Sequence, residues 1–329
     1  MMNDEESDEE LSELDLQCHN VSKIHNYIEL MRLPNIFTAM ADVAMGFLFV
    51  QAKGWTWNPV WDSWTLATLL LASSLLYIAG VVLNDVFDLE IDAKERPERP
   101  LPSGRVSLIA ARRIGWTLLF CGVFAGALSG FFVGHLRPGV VAAILGTSII
   151  LYDAWLKNTP IGPLAMGACR MLNVMLGMNV IDAPIDVECW LVAGGLGIYV
   201  TGVTWFARKE ADESSPMQLG LATLVMVFGV GTMASFVKWS DRTIDQVSLD
   251  PQRWYWLVGI LGLLSVWRCF LAVAYPIPIR VRIAVAQCVL SIIMLDAVTC
   301  YAVRGVPWAV AIMLLVMPAM FLGRWIKIT

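Results

Sequence analysis

The chain has 329 residues, of which 57% are hydrophobic and 16% charged, whereas soluble domains run at roughly 25% charged; an ordinary soluble globular protein is excluded. The apolar residues fall into runs of about 20, the length an α-helix needs to cross a hydrocarbon core of roughly 30 Å, not into the short alternating strands of a β-barrel. The formal net charge of −5 reflects a concentration of acid at the start of the chain, and no nucleic-acid partner is expected.

Residues 1–22 open with "MMNDEESDEELSELDLQ", a polar stretch without aromatic residues that reads as a disordered acidic tail. It has neither the basic n-region nor the apolar h-region of a signal peptide, so the tail is expected to stay uncleaved in the cytoplasm. Residues 23–329 then read as one transmembrane domain, an all-α polytopic bundle. Ten spans are expected, near 27–50, 64–84, 110–134, 138–156, 162–181, 188–207, 217–238, 254–275, 281–303 and 306–325, or nine if the last two are less regular. With the N-terminus inside, 15 Lys and Arg fall on the cytoplasmic side and 6 on the other, the bias of the positive-inside rule.

Within the spans, Gly126, Gly130 and Gly134 at four-residue spacing suit close helix packing. Trp55, Trp57, Trp61, Trp64, Trp254 and Trp256 read as an interfacial aromatic belt. The seven cysteines (18, 121, 169, 189, 269, 288, 300) show no CxxC or His-paired spacing and read as small core hydrophobes. "RLPN" (Arg32 to Asn35) opens the first span and "RMLN" (Arg170 to Asn173) lies in the fifth. Each is followed by a second span that returns to the cytoplasmic face and ends in charge. Two pseudo-repeated four-helix halves around a central cavity would produce this pattern, and repeat-built membrane folds put their site between the halves.

The most unusual passage is "LNDVFDLEIDAKERPERPLPSGRVS", residues 83–107, where acids and then a proline-rich basic loop follow a membrane-length apolar run. On a continuous helix, with Asn84 at zero, Asp88 falls at about 40°, Asp92 at about 80° and Asp85 at about 100°. All four share a face, and Glu90 points elsewhere. Stacked like charges repel, more so beside lipid, and a cation removes that cost. Carboxylate and amide oxygens without nitrogen or sulfur suit magnesium, which keeps waters and shares positions with substrate phosphates. Lys94, Arg96, Arg99 and Arg105 in the loop suit either diphosphate oxygens or simple anchoring.

"NDVFDLEIDAKERPERPLPSGRVS" resembles the first aspartate-rich signature of the UbiA superfamily of intramembrane prenyltransferases. "LMRLPNIFTAMADV" resembles that family's first helix, and "LYDAWLKNTPIGPLAMGACRMLNVMLGMN" its tyrosine and lysine segment. With "GVTWFARKEADES", these look closest to the UbiA-like branch encoded in ebo gene clusters. The resemblance implies a helical bundle whose cavity opens to lipid and binds a polyprenyl diphosphate through Mg2+. Ionisation gives an allylic cation, which an acceptor, an aromatic ring being one candidate, attacks. It further implies that Asn84, Asp85, Asp88 and Asp92 serve the metal, that Tyr152 and Lys157 lie at the mouth with Lys157 on phosphate, and that Arg96, Arg99, Arg208 and Lys209 bind substrate. Arg170 and Asn173, with their counterparts Arg32 and Asn35, would reach the diphosphate from opposite halves. Asp42 is open between cavity lining and a structural pair, while Asp296 and Arg268 are expected to be structural or to snorkel.

One stretch departs from the family. Where a second DxxxD is usual, this chain has "RKEADES", with Glu210 and Ser214 at that spacing; Glu210 suits a metal and Ser214 does so poorly. The rival reading is a non-catalytic polyprenyl-diphosphate carrier or transporter on the same bundle. Transferases acting on CDP-alcohols are disfavoured, since the chain contains no Asp-Gly pair. The cysteine usage and lack of a targeting signal fit a bacterial inner membrane.

Overall fold

The computed structural model describes residues 25–51, 55–208, 215–239 and 251–325. The acidic tail, Lys209, Glu210, Asp212 and Ser214 lie outside the described residues. The helices, in order, are α1 (residues 25–31), α2 (Ile36–Val50), α3 (Trp61–Phe87), α4 (Leu89–Glu95), α5 (Leu108–Val133), α6 (Arg137–Ala154), α7 (Gly162–Met178), α8 (Val187–Ala207), α9 (Pro216–Ala234), α10 (Pro251–Ala274), α11 (Pro278–Arg304), α12 (Val306–Met313) and α13 (Val316–Trp325). Nine helical stretches among the described residues are long and apolar enough to cross a membrane, the last of them made by α12 and α13 together. The one expected span not among them, 162–181, is α7, which at 17 residues is a shorter, largely buried helix.

Local chemistry sets the helix ends. Prolines stand in the first turn of α6, α7, α9, α11 and α12, where the missing N–H costs nothing and the fixed φ suits the helix. Ser107 caps α5 by accepting from the Ala110 N–H. Gly134 closes α5 at φ 80°, a conformation glycine adopts without strain.

The first expected span, 27–50, is not one helix. Pro34 cannot donate to the turn before it and disfavours α geometry in the preceding residue. The chain accordingly breaks at Arg32, which takes the left-handed conformation at φ 45°, and passes through a 3-10 turn, Leu33–Asn35, into α2. The apolar run passes through this break without interruption, so Pro34 is the local signal for it.

α2 is the central helix. Nearly every residue from Ile36 to Val50 is buried, the mark of a helix surrounded by others, and it packs against α3, α7 and α11. Its crossing with α7 depends on glycine: a β-carbon at Gly46 would collide with the Val174 carbonyl oxygen, and one at Gly177 with the Val43 carbonyl oxygen. Gly126 likewise meets Ala142, and Gly130 the His135 carbonyl, so the expected small-residue packing is found. The outward faces of α5 and α9 carry Phe120, Phe124, Phe131 and Phe228, each about two-thirds or more exposed (68%, 69%, 75% and 67%), which is tolerable only against lipid.

The tryptophans divide. Trp61, Trp64 and Trp256 are exposed as a belt requires, whereas Trp254 is buried and donates its indole N–H to the Ala234 carbonyl. Trp55 and Trp57 are half-buried and pack with Trp308 against the core. Cys169, Cys189, Cys269, Cys288 and Cys300 are buried, while Cys121 is exposed.

Candidate active site

A cavity of about 390 Å³ lies between the two halves. α2, α3 and α6 of the first half contribute Ala39, Tyr77 and Ile149; α7 and α8 of the second contribute Met166 and Val203; α11, outside both halves, adds Val289. One stripe of α3 forms much of the wall, since Ser73, Tyr77, Gly80 and Asn84 recur at the spacing of one helical face.

The acidic motif lies at the cavity's mouth. α3 ends at Phe87 and α4 begins at Leu89, with Asp88 at the joint; the hydrogen bonding nonetheless carries through, from Asp88 N–H to Asn84 O at 2.9 Å and from Asp92 N–H to Asp88 O at 2.8 Å. The acids keep the angular order of a continuous helix and divide along it. Asn84 and Asp88 face the Lys157 ammonium, at 3.0 Å and 2.7 Å. Asp92 and Asp85, further round the helix, face Arg99 at 2.8 Å and 3.7 Å, and Asp85 also receives Arg32 at 2.7 Å. Glu90 is exposed, as expected.

The basic groups are thereby sorted. Arg99 is buried and binds the motif itself. Arg105 is turned away, bonded to Glu29, Asn26 and the Glu98 carbonyl, which ties the loop to α1. Arg96 is half-buried and Lys94 exposed. Arg208 donates to the Thr159 and Lys157 carbonyls, bracing the turn that presents Lys157. Tyr152 lines the cavity.

The repeat residues Arg32, Asn35, Arg170 and Asn173 all line one cavity. Arg170 lies deeper and is held there by Asp42 at 2.7 Å and Thr38 at 2.6 Å, with Tyr77 beneath its guanidinium. Asn173 donates to the Ala39 carbonyl and Asp42, and accepts from Ser73 at 2.8 Å. Asp42 is therefore in an ion pair, and Arg170 combines that pair with cavity lining. Asp296 is fully buried and Arg268 exposed.

The donor set accommodates a divalent cation. Two oxygens, Asn84 Oδ1 and Asp88 Oδ1, already converge on a single cationic nitrogen, and the donors are all oxygen, as magnesium prefers. No three acidic, His or Cys side chains among the described residues form a closed metal cage. That is compatible with magnesium, which is commonly held by one or two carboxylates with waters and phosphates completing its shell.

Asp153, Thr38, Ser73 and Tyr77 went unremarked in the sequence. Asp153 had a signal, standing four residues before Lys157, and so did Ser73 and Tyr77, 11 and 7 residues before Asn84. Thr38 had none.

A bundle of membrane-length helices around a cavity with an acidic mouth defines an integral multi-pass membrane protein. The UbiA prenyltransferase family profile matches residues 41–239, and the chain belongs to that family. A digeranylgeranylglyceryl phosphate synthase of Sulfurisphaera tokodaii is 34% identical over 205 residues, 62% of this chain and 70% of the relative. The chloroplastic chlorophyll synthase of Avena sativa is 28% identical over 225 residues, 64% of this chain and 57% of the relative. The fold matches a UbiA homolog from Archaeoglobus fulgidus bound to GPP and Mg2+, with a TM-score of 0.58 at 13% identity, covering 81% of this chain and 99% of the other.

Proposed function

We propose that the protein transfers a prenyl group from a polyprenyl diphosphate to an acceptor within the membrane, in a magnesium-dependent reaction. The observation that carries this is the convergence of Asn84, Asp88 and Lys157 at the mouth of a cavity whose walls are largely apolar. The prenyl chain lies along the apolar wall, and its diphosphate reaches the mouth. Lys157 holds a phosphate oxygen and Arg32 and Arg96 add positive charge around it, while Arg99 holds Asp92 and Asp85 in place, Arg208 braces the Lys157 turn, and Lys209 is a further candidate for the phosphates. Asn84, Asp88 and Asp92 are the metal ligands, Asp85 supports them, and Glu210 is a further candidate ligand. Bound magnesium supplies Lewis-acid stabilisation of the departing diphosphate. The side chains supply preorganised charge that costs no rearrangement as the C–O bond breaks. Arg170 and Asn173, fixed by Asp42, form the polar deep wall, and Tyr152 borders the reacting end.

The acidic motif belongs on the cytoplasmic side of a bacterial inner membrane. The charge bias supports this, as does the gathering of the 95–107, 155–161 and 208 segments at one end of the bundle. The test is purified protein with labelled geranylgeranyl diphosphate: release of diphosphate that requires magnesium and is lost in Asp88→Ala supports the reading, and undiminished release in that variant overturns it. The carrier reading is favoured only by the Glu210 and Ser214 substitution in the second motif, and it predicts binding without diphosphate release.

A further inference from the structure

Asp153, the penultimate residue of α6, is a buried carboxyl that the preceding account leaves unused. It lines the cavity and is 3% exposed. Its Oδ2 has no hydrogen-bond partner among the described residues. A buried acceptor without a donor is costly, and native structures keep such groups where something else completes them. Gly80 on α3 faces it: a β-carbon there would stand 4.0 Å from Oδ2 and 3.0 Å from Ile149 Cγ2, so the bare glycine lets Ile149 pack beside the carboxyl.

Its surroundings limit what that partner is. Lys157, Asp88, Asp85 and Arg32 are its charged neighbours, but the Lys157 ammonium is already taken by Asp88 and Asn84 and the Arg32 guanidinium by Asp85. A diphosphate is the poorer match, since it carries acceptors only, whereas a carboxyl oxygen accepts from a hydroxyl in either protonation state. On the cavity side the walls are apolar, with Ile149 on the same helix and Val200 and Val203 on α8. An acceptor oxygen at the border between a charged mouth and an apolar interior suits a molecule with a hydrophobic body and one O–H.

We propose that Asp153 binds the acceptor substrate by accepting a hydrogen bond at Oδ2 from the acceptor's hydroxyl group, so that the enzyme selects hydroxyl-bearing amphipathic acceptors. This rests on the prenyl-transfer reading and names the acceptor's chemical class. The hydroxyl is held beside the place where the prenyl carbon is released. A site built around that bond discriminates strongly against analogues lacking the donor, because they leave the carboxyl unpaired.

The test uses the full chain in nanodiscs, saturated with magnesium and geranylgeranyl thiodiphosphate, a slow-reacting analogue. It is titrated with a long-chain 4-alkylphenol, a dialkylglycerol and the O-methyl ether of each. The wild type is expected to bind at least one hydroxyl compound about tenfold or more tightly than its ether. Asp153→Ala should bind the two alike while holding the thiodiphosphate within about twofold of wild type, as expected for loss of one separate hydrogen bond. Asp153→Asn, which keeps the volume, should retain only a reduced preference and carries the comparison if the alanine variant does not accumulate. Equal binding of alcohol and ether by wild type in both pairs, or a full preference surviving in Asp153→Asn or Asp153→Ala, overturns the assignment. Failure of the wild type to bind the thiodiphosphate with magnesium overturns the transfer reading itself, and this assignment with it.

Discussion

The Lys157 ammonium lies 2.7 Å from Asp88 Oδ1 and 3.0 Å from Asn84 Oδ1, so a side chain from the α6–α7 turn occupies the point where the first two ligands of the acidic motif meet. A phosphate-bound lysine and a metal-bound carboxylate each require that contact to open. Lys157→Met is therefore expected to raise the affinity of the substrate-free protein for divalent cation, by removing the competing charge. The same variant should lower turnover by about 10²–10³, the usual cost of removing one preorganised charge from a transition state. Cation titration and steady-state kinetics on one preparation check both.

Arg99 joins Asp92 and Asp85 in a nearly dry pair of contacts. Removing one member of a buried ion pair strands the other, at about 3–5 kcal/mol. Arg99→Ala should lower the thermal midpoint sharply even without ligand, whereas Arg96→Ala, at a half-buried position, should leave the midpoint nearly unchanged. Thermal unfolding of the two variants side by side distinguishes a structural arginine from a substrate-facing one.

Asp42 receives both Arg170 and Asn173 inside the membrane. Asp42→Ala leaves the guanidinium with the Thr38 hydroxyl and the Tyr77 ring but without its ion-pair partner, an arrangement expected to cost about 3–5 kcal/mol. Asp42→Asn keeps an acceptor and should cost less. Folded yield and melting temperature in detergent check the order.

The α2–α7 crossing supplies a purely steric prediction. Gly177→Val forces a side chain into the Val43 carbonyl and should destabilise by at least about 1–3 kcal/mol. Gly194 has nothing within 4 Å of its β-position, so Gly194→Ala should be neutral or stabilising by up to about 1 kcal/mol. Gel-filtration profiles of the two variants report the difference.

Much of this was legible in the sequence because lipid imposes length and polarity so strictly. The ten apolar runs, the small-residue contacts of Gly126 and Gly130, and the angular order of Asn84, Asp88, Asp92 and Asp85 all follow from helical geometry. What escaped depends on long-range placement. No local signal tells that Arg99 turns back to Asp92 while Arg105 turns away to Glu29, or that Trp254 is core and Trp256 is not. The break at Arg32 was signalled by Pro34, but its left-handed conformation, and with it the reach to Asp85, is settled by tertiary contact. Asp153 was passed over because an acid beside Tyr152 and near Lys157 looks like ordinary helix-end charge until its burial is known.

The most direct measurement of the central claim is Mn2+ binding followed by electron paramagnetic resonance, with geranylgeranyl thiodiphosphate present. Wild type should immobilise the ion only when the analogue is bound, and Asp88→Ala and Asp92→Ala should each lose that signal while remaining folded. An unchanged Mn2+ signal in both variants would contradict the account.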